Sequence, residues 1–158
     1  MPTGAPPTFR PMTADDAGAV IAMMTALYEE DASGYVSPDH FRRTTGTLLA
    51  EPHRGTIVVF DLPDAPCVGY AILIPYWSNE FGGPMVEVDE LFVRPEFRGF
   101  GVGRAFIAWI ERERPHGATV IELEVTPDNH KAQEFYRSVG FTRRANVLQV
   151  RRLDTRGA

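Results

Sequence analysis

At 158 residues, with 44% apolar and 23% charged side chains, the chain fits one ordinary globular domain with a single core. A formal charge of −5 excludes the usual binder of phosphate backbones, which carries clustered Lys and Arg in excess, so no nucleic acid partner is expected. The single cysteine, Cys67, excludes an internal disulfide framework, and His40, His53, His116 and His130 lack metal-ligand spacing, so no metal site is expected.

The start, MPTGAPPTFRPM, has no basic segment followed by an apolar core, and no apolar run is long enough to cross a bilayer. A cytoplasmic address and no membrane partner are expected. Cys67 enters an apolar run and reads as a small core residue rather than a nucleophile.

In chain order, residues 1–7 read as loose and Thr8 to Pro11 as a short strand. Thr13 precedes Asp15 and Asp16 and then Val20, Ile21, Met24, Leu27 and Tyr28, a helical spacing with an N-cap and acids in the first turn. Asp31 to Tyr35 reads as a turn. Ser37 before Pro38 opens a second helix through Phe41 and Leu48 that Pro52 closes. The β-branched runs Gly55 to Leu62 and Cys67 to Tyr76 flank LPDAP and predict an antiparallel hairpin. SNEFGGP makes the next turn, and Met85 to Val93 is a third long strand.

A helix from Gly101 or Val102 to about Arg114 presents Val102, Phe106, Trp109 and Ile110 on one face. Thr119 to Val125 follows as a strand, and the intervening helix makes it a parallel neighbour of the strand before. Asp128 or Asn129 caps a last helix whose apolar side is Ala132, Phe135, Tyr136 and Val139, with Gly140 as its stop. Two short strands, Phe141 to Arg144 and Val147 to Leu153, are expected to finish the sheet. The fold class is therefore α/β (α+β), in one domain over 1–158.

The chemistry concentrates between Met85 and Arg114. In Arg98-Gly99-Phe100-Gly101-Val102-Gly103-Arg104, alternate glycines let the backbone turn sharply and leave amide N–H groups unobstructed. The helix that follows adds its own free N–H groups and the positive end of its dipole, so a pyrophosphate there meets donors and a favourable field together. Arg98 and Arg104 add full charges. A dinucleotide-binding motif has a related look, but it is GxGxxG beside the first strand, whereas this is GxGxG deep in the chain.

VDELFVRPEFRGFGVGRAFI resembles the acetyl-CoA-binding motif of the GNAT superfamily of N-acetyltransferases, with its Arg/Gln-x-x-Gly-x-Gly/Ala signature at Arg98, Gly101 and Gly103. NHKAQEFYRSVGF, from Asn129 to Phe141, is similar to the second family motif and follows in the right order. The resemblance covers nearly the whole chain and is weakest before Thr56. It implies a mixed, mainly antiparallel central sheet with a parallel, splayed strand pair and about four helices packed on its faces.

The resemblance also implies acetyl-CoA as cofactor. The backbone of Leu91, Phe92 and Val93 would line the pantetheine arm, and the amides from Arg98 to Arg104 would take the pyrophosphate. Asn129 would contact the cofactor, and Tyr136 would protonate the departing thiolate. The plainer reading of those two is a helix cap and a core residue.

A lysine-like amine has a pKa near 10.4 and attacks a thioester only when neutral, so a proton acceptor is required. Glu87, Asp89 and Glu90 precede the glycine turn. Simple alternation puts Glu87 and Asp89 on one face and Glu90 on the other, unless the bulge common in this family's strand shifts it. The choice of base stays open among the three, with Glu80 a further acid nearby. A backbone N–H near Phe92 or Val93 is placed to stabilise the thioester oxygen as it gains charge.

The resulting expectation is N-acetylation of a primary amine on a small molecule by direct attack, with a polyamine, an aminoglycoside-like compound or an amino-acid derivative as candidates; the residues are silent on oligomeric state, and the resemblance adds a homodimer, common in the family. Tyr28 to Tyr35 and Tyr76 to Gly83 are the expected specificity elements. The alternatives are a non-catalytic acyl-CoA-binding or sensory module, and acetylation of protein N-termini or lysines.

Overall fold

The structure is a computed structural model that describes residues 5–30 and 36–153. The expected turn at Asp31 to Tyr35 and the first part of the loose start lie outside the described residues. The chain divides into two compact units, Met1–Glu124 and Val125–Ala158.

The first unit carries a five-stranded sheet in the order β1-β2-β3-β4-β5. Its strands are β1 (Thr8–Pro11), β2 (Thr56–Leu62), β3 (Ala65–Ser78), β4 (Gly83–Val93) and β5 (Val120–Glu122). β1 through β4 pair antiparallel, and β5 joins β4 in parallel through Met85↔Val120, Val86↔Ile121 and Glu87↔Glu122. The hairpin and the parallel pair form as expected. β5 is shorter than expected, so its pairing with β4 stops at Glu87, ahead of Leu91, Phe92 and Val93.

Two helices cover one face of the sheet. α1 (Ala17–Glu30) follows a single 3-10 turn at Ala14–Asp16. There the N–H and hydroxyl of Thr13 donate to Asp16 at 2.8 and 2.9 Å. Arg10 clamps the same carboxylate at 2.7 and 2.9 Å and reaches Asp61 at 2.8 Å, tying β1 and β2 to the start of the helix. Arg10 holds the Asp16 carboxyl well below the usual carboxylate range. α2 (Pro38–Ala50) begins where Ser37 Oγ accepts from the Asp39 N–H at 3.2 Å, the cap the Ser-Pro pair predicts. Val20, Met23 and Met24 of α1 and Phe41 of α2 pack in one core with Ile57, Val59, Tyr70, Ile72 and Phe92 of the sheet.

α3 (Val102–Glu113) buries Val102, Phe106, Ile107 and Ile110. Ile107 joins the expected face of Val102, Phe106, Trp109 and Ile110, with Trp109 half-buried. The larger indole lies at the margin, 5.8 Å from Phe106 and 5.9 Å from Phe9 between ring centroids. Phe106 meets Phe60 at 4.6 Å.

β4 contains a bulge. Ile74 faces Glu87 and Ile72 faces Glu90, with the register shift between Ile72 and Leu73, so Asp89 is the extra residue. Ile72 and Ile74 lie two apart on one strand and share a face, and directly opposed residues share theirs. Glu87 and Glu90 therefore point to the same face, the one under α1 and α2. This overturns simple alternation.

In the second unit, α4 (His130–Ser138) is capped by Asn129, whose Oδ1 accepts from the Ala132 N–H at 3.1 Å. Gly140, at φ 97°, ends it as expected, with the Phe141 N–H bonded back to Tyr136 O at 3.0 Å. The two expected C-terminal strands are absent from the described residues. Val147, Leu148, Val150 and Leu153 are exposed instead. Alternation gives a strand its faces but not its ladder, and no described residue pairs with this segment.

Candidate functional site

The glycine turn lies between β4 and α3. Gly99 and Gly101 take left-handed φ values of 83° and 82°, a conformation that would strain any residue with a Cβ. The other long helices begin with a side-chain acceptor at Thr13–Asp16, Ser37 or Asn129. α3 begins at Gly101, which has none. The first N–H groups of a helix have no intrahelical partner, and Gly101 has no side chain to cap them, so this terminus suits an anion.

Arg98 is engaged rather than free. Its guanidinium donates to both oxygens of Glu30, at 3.0 and 2.9 Å, and its Nε donates to Val93 O at 2.6 Å. It also stacks over Phe92, 5.1 Å from the ring centroid. Glu30 ends α1, so the turn is fastened to that helix. Arg104 is exposed on the first turn of α3. Phe100 is exposed, Val102 is buried beneath the turn, and Gly103 is half-buried.

Upstream, β4 stays paired with β3 through Leu91↔Ala71, Phe92↔Tyr70 and Val93↔Gly69. A Cβ on Gly69 would stand 2.6 Å from Phe92 O and 2.7 Å from the Phe60 ring, so glycine lets β3 approach at this point. The opposite edge of β4 has lost β5 by then. This is the splay that the family resemblance implies.

The three carboxylates of β4 have different surroundings. Glu90 is held from two sides, accepting from Tyr70 at 2.7 Å and Tyr28 at 3.0 Å. Burial raises its carboxyl and the two tyrosines pull it back. The Tyr70 hydroxyl is itself pushed far up by burial and by the Glu90 charge beside it. Glu87 is half-buried and makes no hydrogen bond or ion pair among the described residues. Burial, then the charges of Asp89, Glu122 and Glu124, raise its carboxyl above the ordinary value. Asp89, bulged out of the strand, lines a cavity beneath α2, and partial burial raises its carboxyl too.

Nearby, the Tyr76 hydroxyl donates to Glu122, the parallel partner of Glu87. Burial and that carboxylate push the Tyr76 hydroxyl up to about 12. In the second unit, Tyr136 packs against Phe135 and Phe141 at 5.1 and 5.5 Å, and its hydroxyl makes no hydrogen bond among the described residues. Burial pushes it up to about 12, so it carries its proton at neutral pH. Cys67 is buried at a left-handed φ of 54°, and burial raises its thiol.

Sequence reasoning missed the partners Tyr70 and Glu30 and the cavity under α2. Tyr70 had a signal, since a tyrosine inside the apolar run CVGYAILI needs a polar partner for its hydroxyl. The Glu30–Arg98 pair, 68 positions apart, had none.

Among the described residues, no helix is long and apolar enough to cross a membrane, and no group of His, Cys, Asp and Glu is placed to hold a metal ion. A family model described as the acetyltransferase (GNAT) family matches residues 21–141. The uncharacterized N-acetyltransferase MJ1207 of Methanocaldococcus jannaschii is 30% identical over 136 residues, 85% of this chain and 60% of that protein. Mycothiol acetyltransferase of Propionibacterium freudenreichii subsp. shermanii is 33% identical over 121 residues, 74% of this chain and 34% of that protein. The chain thus spans less than two thirds of the length of these relatives, 60% and 34%. The solved structure of AAC(6')-Iy in complex with bisubstrate analog CoA-S-monomethyl-acetylneamine shares the fold, with a TM-score of 0.77 at 20% identity over 94% of this chain and 99% of that one.

Proposed function

The chain belongs to the acetyltransferase (GNAT) family, and from that premise we propose that it transfers an acetyl group from acetyl-CoA to a primary amine of a small molecule by direct attack. The observation that carries this reading is the pairing of an uncapped α3 N-terminus behind left-handed glycines with the carboxylates of the adjoining strand. An anion fits the first and an ammonium group fits the second.

The donor set suits a pyrophosphate. The amides from Gly99 to Arg104 would hold it with the guanidinium groups of Arg98 and Arg104, Arg98 exchanging Glu30 for phosphate oxygens. Leu91, Phe92 and Val93 would offer the open edge of β4 to the pantetheine arm, with a Phe92 or Val93 N–H toward the carbonyl oxygen. Asn129 would use the part of its amide that the helix cap leaves over. When bound, acetyl-CoA supplies an acetyl thioester whose carbonyl carbon the amine attacks, forming the C–N bond as the C–S bond breaks.

Glu87 is the favoured base. It has no competing partner, and a carboxyl raised toward neutrality accepts a proton more readily than an ordinary one. It would take the amine proton directly or through water. Glu90, bound by two tyrosines, would shape the strand, and Asp89 would draw the ammonium form of the substrate into the cavity. On the family resemblance, Tyr136, protonated at neutral pH, would give its proton to the departing thiolate. On the family resemblance alone, we extend the reading to a cytoplasmic homodimer, which light scattering and fractionation test.

The test is thiol release from acetyl-CoA across a panel of amines, beside calorimetry of cofactor binding. Thiol release with an amine and the matching N-acetyl product by mass spectrometry supports the reading. Tight cofactor binding without acetylation of any amine would instead support an acyl-CoA-binding module.

A further inference from the structure

Between α2 and the sheet lies a cavity of about 260 Å³ with an apolar floor of Ile72 and Ile74. Its polar lining is Arg43, Thr44 and Thr47 from the helix and Asp89 from the bulge of β4. Arg43 and Thr47 stand four apart and so share a helix face. Neither Arg43 nor Asp89 makes a hydrogen bond or ion pair among the described residues. One cavity thus holds an uncommitted cation and an uncommitted anion on opposite walls. The bulge puts the anion there, because a regular strand would not have an extra residue at this point.

We infer that the acceptor substrate is an amine that also carries an anionic group, with Arg43 receiving the anion and Asp89 the ammonium. This rests on the acetyl-transfer reading and narrows its substrate class. A polycation such as a polyamine gains from Asp89 but meets like charge at Arg43, whereas a zwitterion is matched at both ends. Guanidinium suits a carboxylate or phosphate in bidentate contact, and the hydroxyls of Thr44 and Thr47 add donors beside it.

The experiment uses the full chain with acetyl-CoA and four amines of equal chain length: a plain alkylamine, a diamine, an ω-amino carboxylate and an ω-aminoalkyl phosphate. The expected result is a kcat/KM about tenfold or more higher for one or both anionic amines than for the plain amine and the diamine. Comparison of the carboxylate and the phosphate decides which anion is used. Arg43→Gln should erase the advantage, and Arg43→Glu should turn the preference toward the diamine. Calorimetric titration of the anionic amines into protein saturated with coenzyme A should show the same order without turnover. Arg43 is exposed, so a thermal melt of each variant matching that of the parent separates lost recognition from lost folding. Equal use of all four amines, or a preference that Arg43→Glu leaves unchanged, overturns the inference while leaving acetyl transfer intact. Acetylation of none of them, or of any wider amine panel, overturns both.

Discussion

Glu87 and Glu90 lie three positions apart yet face the same side of β4, because the bulge at Asp89 absorbs the odd residue. Their surroundings then separate them, Glu90 bound by two tyrosines and Glu87 by none. We predict that Glu87→Gln lowers kcat by about 10²–10⁴ while leaving acetyl-CoA binding near its original value. The base must be ionised to act and its carboxyl is raised by burial, so activity should climb with pH through a limb above 4.5, the ordinary value. That limb should vanish from the residual rate of the variant. A Glu87→Gln profile that keeps both its limb and its height would move the role to another group.

Tyr70→Phe isolates the other carboxylate. Removing one donor from a largely buried acceptor costs about 1–3 kcal/mol, read as a fall in Tm. It also removes one of the two bonds that pull the Glu90 carboxyl down against burial. With the folded-state value raised further above the unfolded one, the stability lost is small below the unfolded carboxylate range and grows as pH rises through the folded one. Melts at pH 4.5 and pH 8 should therefore differ more for the variant than for the parent. An equal shift at both pH values would mean that the lost bond acted as a packing contact only.

The hairpin, the parallel crossover, the capped helices and the glycine turn were legible because each is written in neighbouring residues. Ser37-Pro38, Asn129 and Gly140 are local signals, and the helices start and stop where those residues say. The bulge was legible only as a family habit, since Val-Glu-Val-Asp-Glu-Leu reads equally well as a straight strand. What decides it is the register against Ile72 and Ile74, a property of two strands together. The C-terminal alternation misled for the converse reason, because Val147 to Leu153 has the faces of a strand and no described partner for its backbone. Arg98 was legible as a cation but not as one already paired, since its partner Glu30 is brought near by α1.

Gly101→Ala tests the turn. The residue sits at φ 82° with open space around its Cβ position, so the strain is in the backbone and not in a clash. Forcing an L-residue into the left-handed region costs about 1–2 kcal/mol. We predict a modest fall in Tm and a rise of about tenfold in the Kd for acetyl-CoA by calorimetry, because relaxing the strain turns amides away from the anion. An unchanged Kd would show that the cradle does not use this conformation.

Glu30 and Arg98 make the last test. In their contact one guanidinium nitrogen, Nη2, is shared between both carboxylate oxygens and the pair is half-exposed, a class of ion pair worth about 0–1 kcal/mol. If phosphate oxygens replace Glu30 on the guanidinium, the protein must break this pair to bind the cofactor. Glu30→Gln should then tighten acetyl-CoA binding about two- to fivefold while moving Tm little, and Arg98→Gln should weaken it by more than tenfold. Salt should reduce the gain from Glu30→Gln, since it already screens the pair in the parent protein. Weaker binding in both variants would assign the contact the opposite role: Glu30 would then hold Arg98 in the orientation that phosphate needs, with the carboxylate retained in the bound state.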